Sequence, residues 1–173
     1  MLLRGSCCGF HQHYYCFIVS HLMKAVYAGS FDPPTIGHID IIQRAASRFE
    51  HLTVAMGINP HKTPHYPLEM RMQWLKTATA HLPNVSVASY QGLVVDFCIQ
   101  IQAYTLIRGI RNAADFDYEQ QMALANRALN PEIETFFIPA NPALAHISSS
   151  FVREIAAFGR DISPYLPSAV IPK

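Results

Sequence analysis

Three short stretches of this chain carry residue types that could grip phosphate groups. In GSFDPPTIGH, residues 29–38, Thr35 can cap a following helix and His38 falls within that helix's first turn, where free backbone amides already favour an anion. Ring and amides together could hold a phosphate, although an isolated histidine at such a place is as readily an ordinary half-buried one. In LIRGIRNAADFDYE, residues 106–119, Arg108 and Arg111 leave an apolar run in a glycine-punctuated turn. Two guanidinium groups there could make charge-assisted bonds to phosphate, or could pair with Asp115 or Asp117. In ISSSFVREIA, residues 147–156, Ser148, Ser149 and Ser150 open a helix, so that hydroxyls and unpaired amides converge; a plain N-cap would need only one of them. Lys62 in NPHKTPHY either adds a further cation or is a solvated loop lysine.

The first of these loops is neither a GxGxxG dinucleotide fingerprint nor a GxxxxGK phosphate loop, which disfavours an NAD enzyme and a P-loop ATPase. No catalytic carboxylate pair and no nucleophile–base dyad is evident. The chemistry that remains is the positioning of anions.

Positioning needs a frame, and the apolar pattern supplies one. Short apolar runs at 24–28, 51–58, 85–90, 105–110 and 134–138 read as strands. Between them, apolar residues recur at three- and four-residue spacing from Ile36 to Phe49, and helical stretches follow at 68–81, with Pro67 suited to the first turn, at 92–103, at 114–129 and at 148–158, with Gly159 as the stop. Five strands alternating with helices predict a Rossmann-like doubly wound α/β fold, a five-stranded parallel sheet with helices on both faces. Ligands of such sheets sit at the carboxyl ends of the strands, here the loops at Gly29, Asn59, Gln91, Arg108 and Pro139.

Composition narrows the classes further. The 173 residues suit one domain; 50% are hydrophobic and 14% charged, enough for a substantial core. A net charge of +1 is not the footprint of a protein that coats nucleic acid or a membrane surface, and no window approaches the roughly 20 apolar residues of a spanning helix. Cys7, Cys8 and Cys16 lie beside His11, His13 and His21 without the spacing of a zinc site, and the first residues lack the pattern of a secretory signal. Residues 1–22 are expected to be an upstream extension to a single domain spanning 23–173. Cys98 is then the domain's one cysteine, which suits the cytoplasm.

The TxGH of the first loop resembles the (H/T)xGH signature of the nucleotidylyltransferase superfamily. Together with LIRGIRNAADFDYE and ISSSFVREIA, in this order and spacing, it is similar to the bacterial phosphopantetheine adenylyltransferase family over nearly the whole chain from Met23. The resemblance implies transfer of the adenylyl group of ATP to 4'-phosphopantetheine, giving dephospho-coenzyme A and pyrophosphate. It puts His38 on the α-phosphate as transition-state stabiliser, with Ser30 and Lys62 positioning the attacking phosphate. Arg108 and the backbone near Val94 would contact phosphopantetheine, while Phe31, Gly109, Ile110, Arg111 and Glu119 would surround the adenosine part. Leu144, Ala145, His146, Ile147, Ser148, Ser149 and Ser150 would close on the β- and γ-phosphates. Serine 30 stands where threonine is common, and Leu144 where tryptophan is frequent. The resemblance also implies Mg2+ carried between the ATP phosphates, coenzyme A as feedback inhibitor, and a homohexamer. Rival readings are another small-molecule nucleotidylyltransferase, against which LIRGIRNAADFDYE argues, and a catalytically silent nucleotide-binding module, against which the presence of His38 and Lys62 argues.

Overall fold

Alternation along the first strand decides how the chain packs. In the computed structural model, which describes residues 24–60 and 63–170, β1 (Lys24–Gly29) turns Ala25 and Tyr27 to one face of the sheet and Val26 and Ala28 to the other. All four are buried, because successive strand residues point to opposite faces and this strand is covered on both. The expected extension at 1–22 and Lys62 lie outside the described residues.

Four further strands follow, β2 (His51–Ile58), β3 (Val85–Gln91), β4 (Thr105–Ile110) and β5 (Glu134–Pro139). They pair in parallel in the order β3-β2-β1-β4-β5, so the chain winds outward from β1 and then returns to lay β4 on its other side. The helices are α1 (Ile36–Ala46), α2 (Leu68–Thr79), α3 (Val94–Gln100), α4 (Ala113–Leu129) and α5 (Ser149–Ala157). Helices α1 and α2 cover the face of Tyr27 through Ile41, Ile42, Ala45 and Leu75; α3 covers the face of Val26 through Val95, Phe97 and Cys98. Among the described residues no helix is long and apolar enough to cross a membrane.

Most differences from the expected boundaries lie at caps. The helix expected over 92–103 occupies only Val94–Gln100, because Gly92 at φ +83° and Gln102 at φ +55° take left-handed turns that a helix cannot contain. Pro67 stands one position earlier than expected, as the N-cap of α2. Gly159 ends α5 as expected: at φ +67° its amide bonds Ala156 and the amide of Arg160 bonds Ile155, a Schellman closure.

The return from β3 to β4 makes a switch point, and the carboxyl ends of β1 and β4 open a crevice there. Gly29 and Arg108 stand at its two sides.

Candidate active site

The loop leaving β1 is held from three directions. Phe31 takes a left-handed φ of +46°, unusual for a side chain of that size, and its ring is 1% exposed. That ring lies under Gly29, where a Cβ would come within 3.1 Å of it. Asp32, 9% exposed, accepts the backbone amides of His65 at 2.8 Å and Tyr66 at 2.9 Å with its two oxygens. The buried Arg71 of α2 donates to the Tyr66 carbonyl at 2.9 Å and the Ser30 carbonyl at 2.5 Å. From α5, Ser149 Oγ donates to the Pro33 carbonyl at 2.8 Å and Arg153 to the Asp32 carbonyl. A loop so tied presents Ser30 and the start of α1 in one geometry.

At that start Thr35 and His38 form a reciprocal cap. The Thr35 hydroxyl accepts the His38 amide at 3.4 Å, and the His38 ring accepts the Thr35 amide on Nδ1 at 2.9 Å. Since Nδ1 is an acceptor, the network assigns the ring proton to Nε2. Burial pushes the His38 pKa down to about 4, the charge of Arg111 adding to the effect, so the ring is neutral at pH 7. The edge of Phe31 supports it, with ring centroids 5.1 Å apart. The result is a neutral N–H donor whose orientation the helix itself sets.

The two arginines of the LIRGIR turn are both paired, but differently. Arg108 donates from Nε and Nη2 to the two oxygens of Glu119 at 2.6 and 2.5 Å, and from Nη1 to the Ala28 carbonyl at 2.5 Å. Burial opposes its charge, yet Glu119 outweighs that and holds the guanidinium above its usual range. Arg111 reaches Asp115 from Nε at 2.7 Å and Nη2 at 3.0 Å, four residues on, and its hydrogen bonds hold the Asp115 carboxyl below the usual carboxylate range. So the ion pairing weighed from the sequence is present for Arg111; for Arg108 the partner is Glu119, a residue expected on adenosine. Gly109 between them leaves room for Tyr27 and Ile41, since a Cβ there would lie 3.5 Å from the Tyr27 hydroxyl and 3.3 Å from Ile41.

The three serines share the cavity, but their hydroxyls do not converge on one free point. Ser148 caps α5 by accepting the Phe151 amide at 3.0 Å, Ser149 tethers the first loop, and Ser150 accepts from Arg153 at 3.2 Å. What α5 turns toward the crevice is its amide end.

These elements enclose a cavity of about 310 Å³ lined by Ser30, Phe31, His38, Arg108, Gly109, Arg111, Glu119, Leu144, Ile147, Ser148, Ser149 and Ser150. Twelve of the residues singled out from the sequence therefore meet in one place. Phe31 lines it with its ring withdrawn, so it has mainly backbone to offer a ligand. Ile110, Ala145 and His146 do not line it; His146 is exposed, near Phe151. Beside it lies a second cavity of about 150 Å³, which contains Val94 and shares Ala28, Arg108 and Glu119 with the first. Sequence reasoning missed Tyr90, Tyr118, Met122 and Asn126 in its wall. Glu119, Met122, Ala123 and Asn126 fall at the three- and four-residue spacing of one α4 face, the only signal that pointed to them. Among the described residues no three His, Cys, Asp or Glu side chains cluster as a metal cage. Among the described residues, hydrogen-bond donors ring the crevice, and the hydroxyl within hydrogen-bond distance of His38, that of Thr35, is taken up in the helix cap, which suits the alignment of two anions.

Comparison with known proteins agrees in sequence and in fold. Residues 26–155 match the cytidylyltransferase-like family. A phosphopantetheine adenylyltransferase of Heliobacterium modesticaldum is 48% identical over 85% of this chain and 88% of its own, and one of Symbiobacterium thermophilum is 48% identical over 84% and 90%. A third, of Caldanaerobacter subterraneus, is 46% identical over 84% and 91%. In fold, a crystal structure provisionally assigned as a nicotinate-nucleotide adenylyltransferase from Vibrio parahaemolyticus superposes with a TM-score of 0.62, at 18% identity, over 85% of this chain and 88% of that one.

Proposed function

The chain belongs to the cytidylyltransferase-like family and, within it, to the phosphopantetheine adenylyltransferases, and from that premise we propose how its residues divide the work. The reaction transfers the adenylyl group of ATP to 4'-phosphopantetheine and releases pyrophosphate. A phosphate oxygen of phosphopantetheine attacks the α-phosphorus as the bond to the β-phosphate oxygen breaks. The nucleophile is already an anion, so the protein needs no strong base; it must hold two repelling anions in line and stabilise charge at the α-phosphate.

The observation that carries this reading is His38, a neutral ring tied by Nδ1 to the helix start, which leaves Nε2–H as its donor in the larger cavity. That donor serves the α-phosphate. ATP occupies the larger cavity, with Gly109 and Arg111 around the nucleoside and Leu144, Ile147, Ser148, Ser149 and Ser150 toward the β- and γ-phosphates. The phosphate of phosphopantetheine lies between Ser30 and Arg108, its arm enters the smaller cavity past Val94, where Leu106 and Met122 offer apolar wall, and the family resemblance assigns Lys62 to the same phosphate. Coenzyme A, which contains that arm, competes for the same space. Mg2+ accompanies ATP, held by phosphate oxygens; both carboxylates in the larger cavity are engaged by arginines, which supports a metal held chiefly by its substrate. A cytoplasmic setting is where both substrates would be met.

Self-assembly as a hexamer belongs to the same proposal. Helix α4 has no buried residue over its 17, and Tyr118, Leu124 and Leu129 are exposed by 61, 65 and 59%, which favours burial against further copies. Light scattering is expected to return six times the 19.4 kDa chain mass, and a monomer would remove this part of the reading. The activity itself is checked by mass spectrometry: incubation with ATP, Mg2+ and 4'-phosphopantetheine is expected to yield dephospho-coenzyme A and pyrophosphate. Adenylation of nicotinamide mononucleotide instead would move the chain to a neighbouring activity.

A further inference from the structure

We infer that Gly57 and Tyr90, partners across β2 and β3, set the width of the smaller cavity and so the acceptor arm that the enzyme admits. This rests on the placement of the 4'-phosphopantetheine arm in that cavity made above. Gly57 lies inside β2, where a glycine weakens the strand and commonly marks the close approach of another group. Its backbone does not demand glycine: among the described residues the glycines at left-handed φ are Gly92 and Gly159. What Gly57 supplies is the absence of a Cβ.

The group that approaches is Tyr90. In the parallel register Gly57 is paired with Tyr90 near the end of β3, and the tyrosine lies over it. A Cβ on Gly57 would stand 3.0 Å from the Tyr90 hydroxyl and 3.2 Å from its Cζ, too close for the ring to keep its place. The ring stacks on Phe97 of α3, with centroids 5.0 Å and planes 18° apart, and Phe97 is itself buried. Tyr90 also lines the smaller cavity, together with Val94, Met122 and Ala123, whereas Gly57 lines neither cavity. A side chain at position 57 therefore pushes the tip of the ring away from β2. Packed Phe97 yields little, and the free space beside the ring is the smaller cavity of about 150 Å³. Gly57 is a positioning residue that acts on the acceptor only through Tyr90.

The test is a KM split between the two substrates, followed by a double-mutant cycle. Gly57→Val is expected to raise KM for 4'-phosphopantetheine by about ten- to a hundredfold, while KM for ATP and calorimetric ATP affinity stay within about twofold. Gly57→Ala, with one methyl to accommodate, is expected to raise it about three- to tenfold, and serves if Val fails to fold. In a Tyr90→Leu background the effect of Gly57→Val is expected to shrink to about twofold or less, because no ring tip remains to be displaced. An unchanged KM for 4'-phosphopantetheine, an equal rise in KM for ATP, or an undiminished effect without Tyr90 overturns the inference. Ala123→Phe narrows the same cavity from α4 and checks the premise. If it raises KM for 4'-phosphopantetheine and the Gly57 variants do not, the inference alone fails. If neither does, the arm does not enter this cavity and both fall. A parent enzyme that forms no dephospho-coenzyme A would remove the functional reading before any variant is made.

Discussion

Replacing His38 by alanine is expected to lower turnover at saturating substrates by about 10²–10³, with ATP affinity changed no more than a few-fold. The size follows from removing one preorganised donor to developing charge, which costs roughly 3–4 kcal/mol in enzymes of other kinds. Affinity is spared because the bond tightens as charge builds at the α-phosphate. His38 also closes the cap of α1, so alanine leaves the Thr35 amide without its ring acceptor and should cost about 1 kcal/mol of stability as well. His38→Gln separates the two effects, since Thr-x-x-Gln is itself a capping box. It is expected to recover the melting temperature and not the rate. An alanine variant within a few-fold of the parent rate, or one that fails because it no longer binds ATP, would leave His38 a structural residue.

The pH dependence carries the same distinction. With its folded pKa pushed down to about 4, against 6.5 for the free side chain, His38 opposes folding only when protonated. Its contribution to stability is therefore complete above about pH 6.5 and is lost as pH falls toward 4. For the free enzyme, kcat/KM should show no limb from an ordinary histidine between about pH 6 and pH 8, because the neutral ring is the acting form throughout. A rate that climbed as pH fell through that window would make the imidazolium the donor.

Asp32→Ala is expected to destabilise the fold by about 2–4 kcal/mol, because it strands two backbone amides, those of His65 and Tyr66, each worth about 1–3 kcal/mol when left without an acceptor. In a domain of this size that is a fall of roughly 5–15 °C in melting temperature. Asp32→Asn retains one acceptor but sets an amide group against a backbone N–H, so it should recover less than half of the loss. Turnover should fall too, since the segment ending at Tyr66 is tied to the β1 loop through this carboxylate. A thermal melt of the alanine variant within about 1 °C of the parent would show that water replaces the carboxylate, and that the clasp contributes nothing to the loop's position.

Thr35 and His38 of the motif GSFDPPTIGH stood out in the sequence as candidates for a phosphate site, yet Asp32 in its middle drew no notice. A lone carboxylate in a loop has no sequence neighbour to reveal its work; its partners are 33 and 34 residues away. Tyr90 and Asn126 escaped for the same reason, since a strand side chain and a helix side chain meet in the smaller cavity only after β4 has returned beside β1.

By itself the sequence determined the order and type of the elements, because hydrophobic periodicity is a local property: period two on the strands, three to four on the helices, interrupted where glycine or proline changes the backbone. It also determined which loops would carry the site, since in a parallel sheet the carboxyl ends of all strands lie on one edge. Only the tertiary structure decided which strand ends meet there and which groups from distant parts of the chain they bring together. The strand order 3-2-1-4-5 brings the end of β1 against the end of β4, and with it Arg108 onto the Ala28 carbonyl, 80 residues away in the chain. The Arg111–Asp115 pair, four residues apart, was open to the sequence, but which backbone carbonyl Arg108 reaches depends on which strand lies alongside, and no local spacing along the chain encodes that.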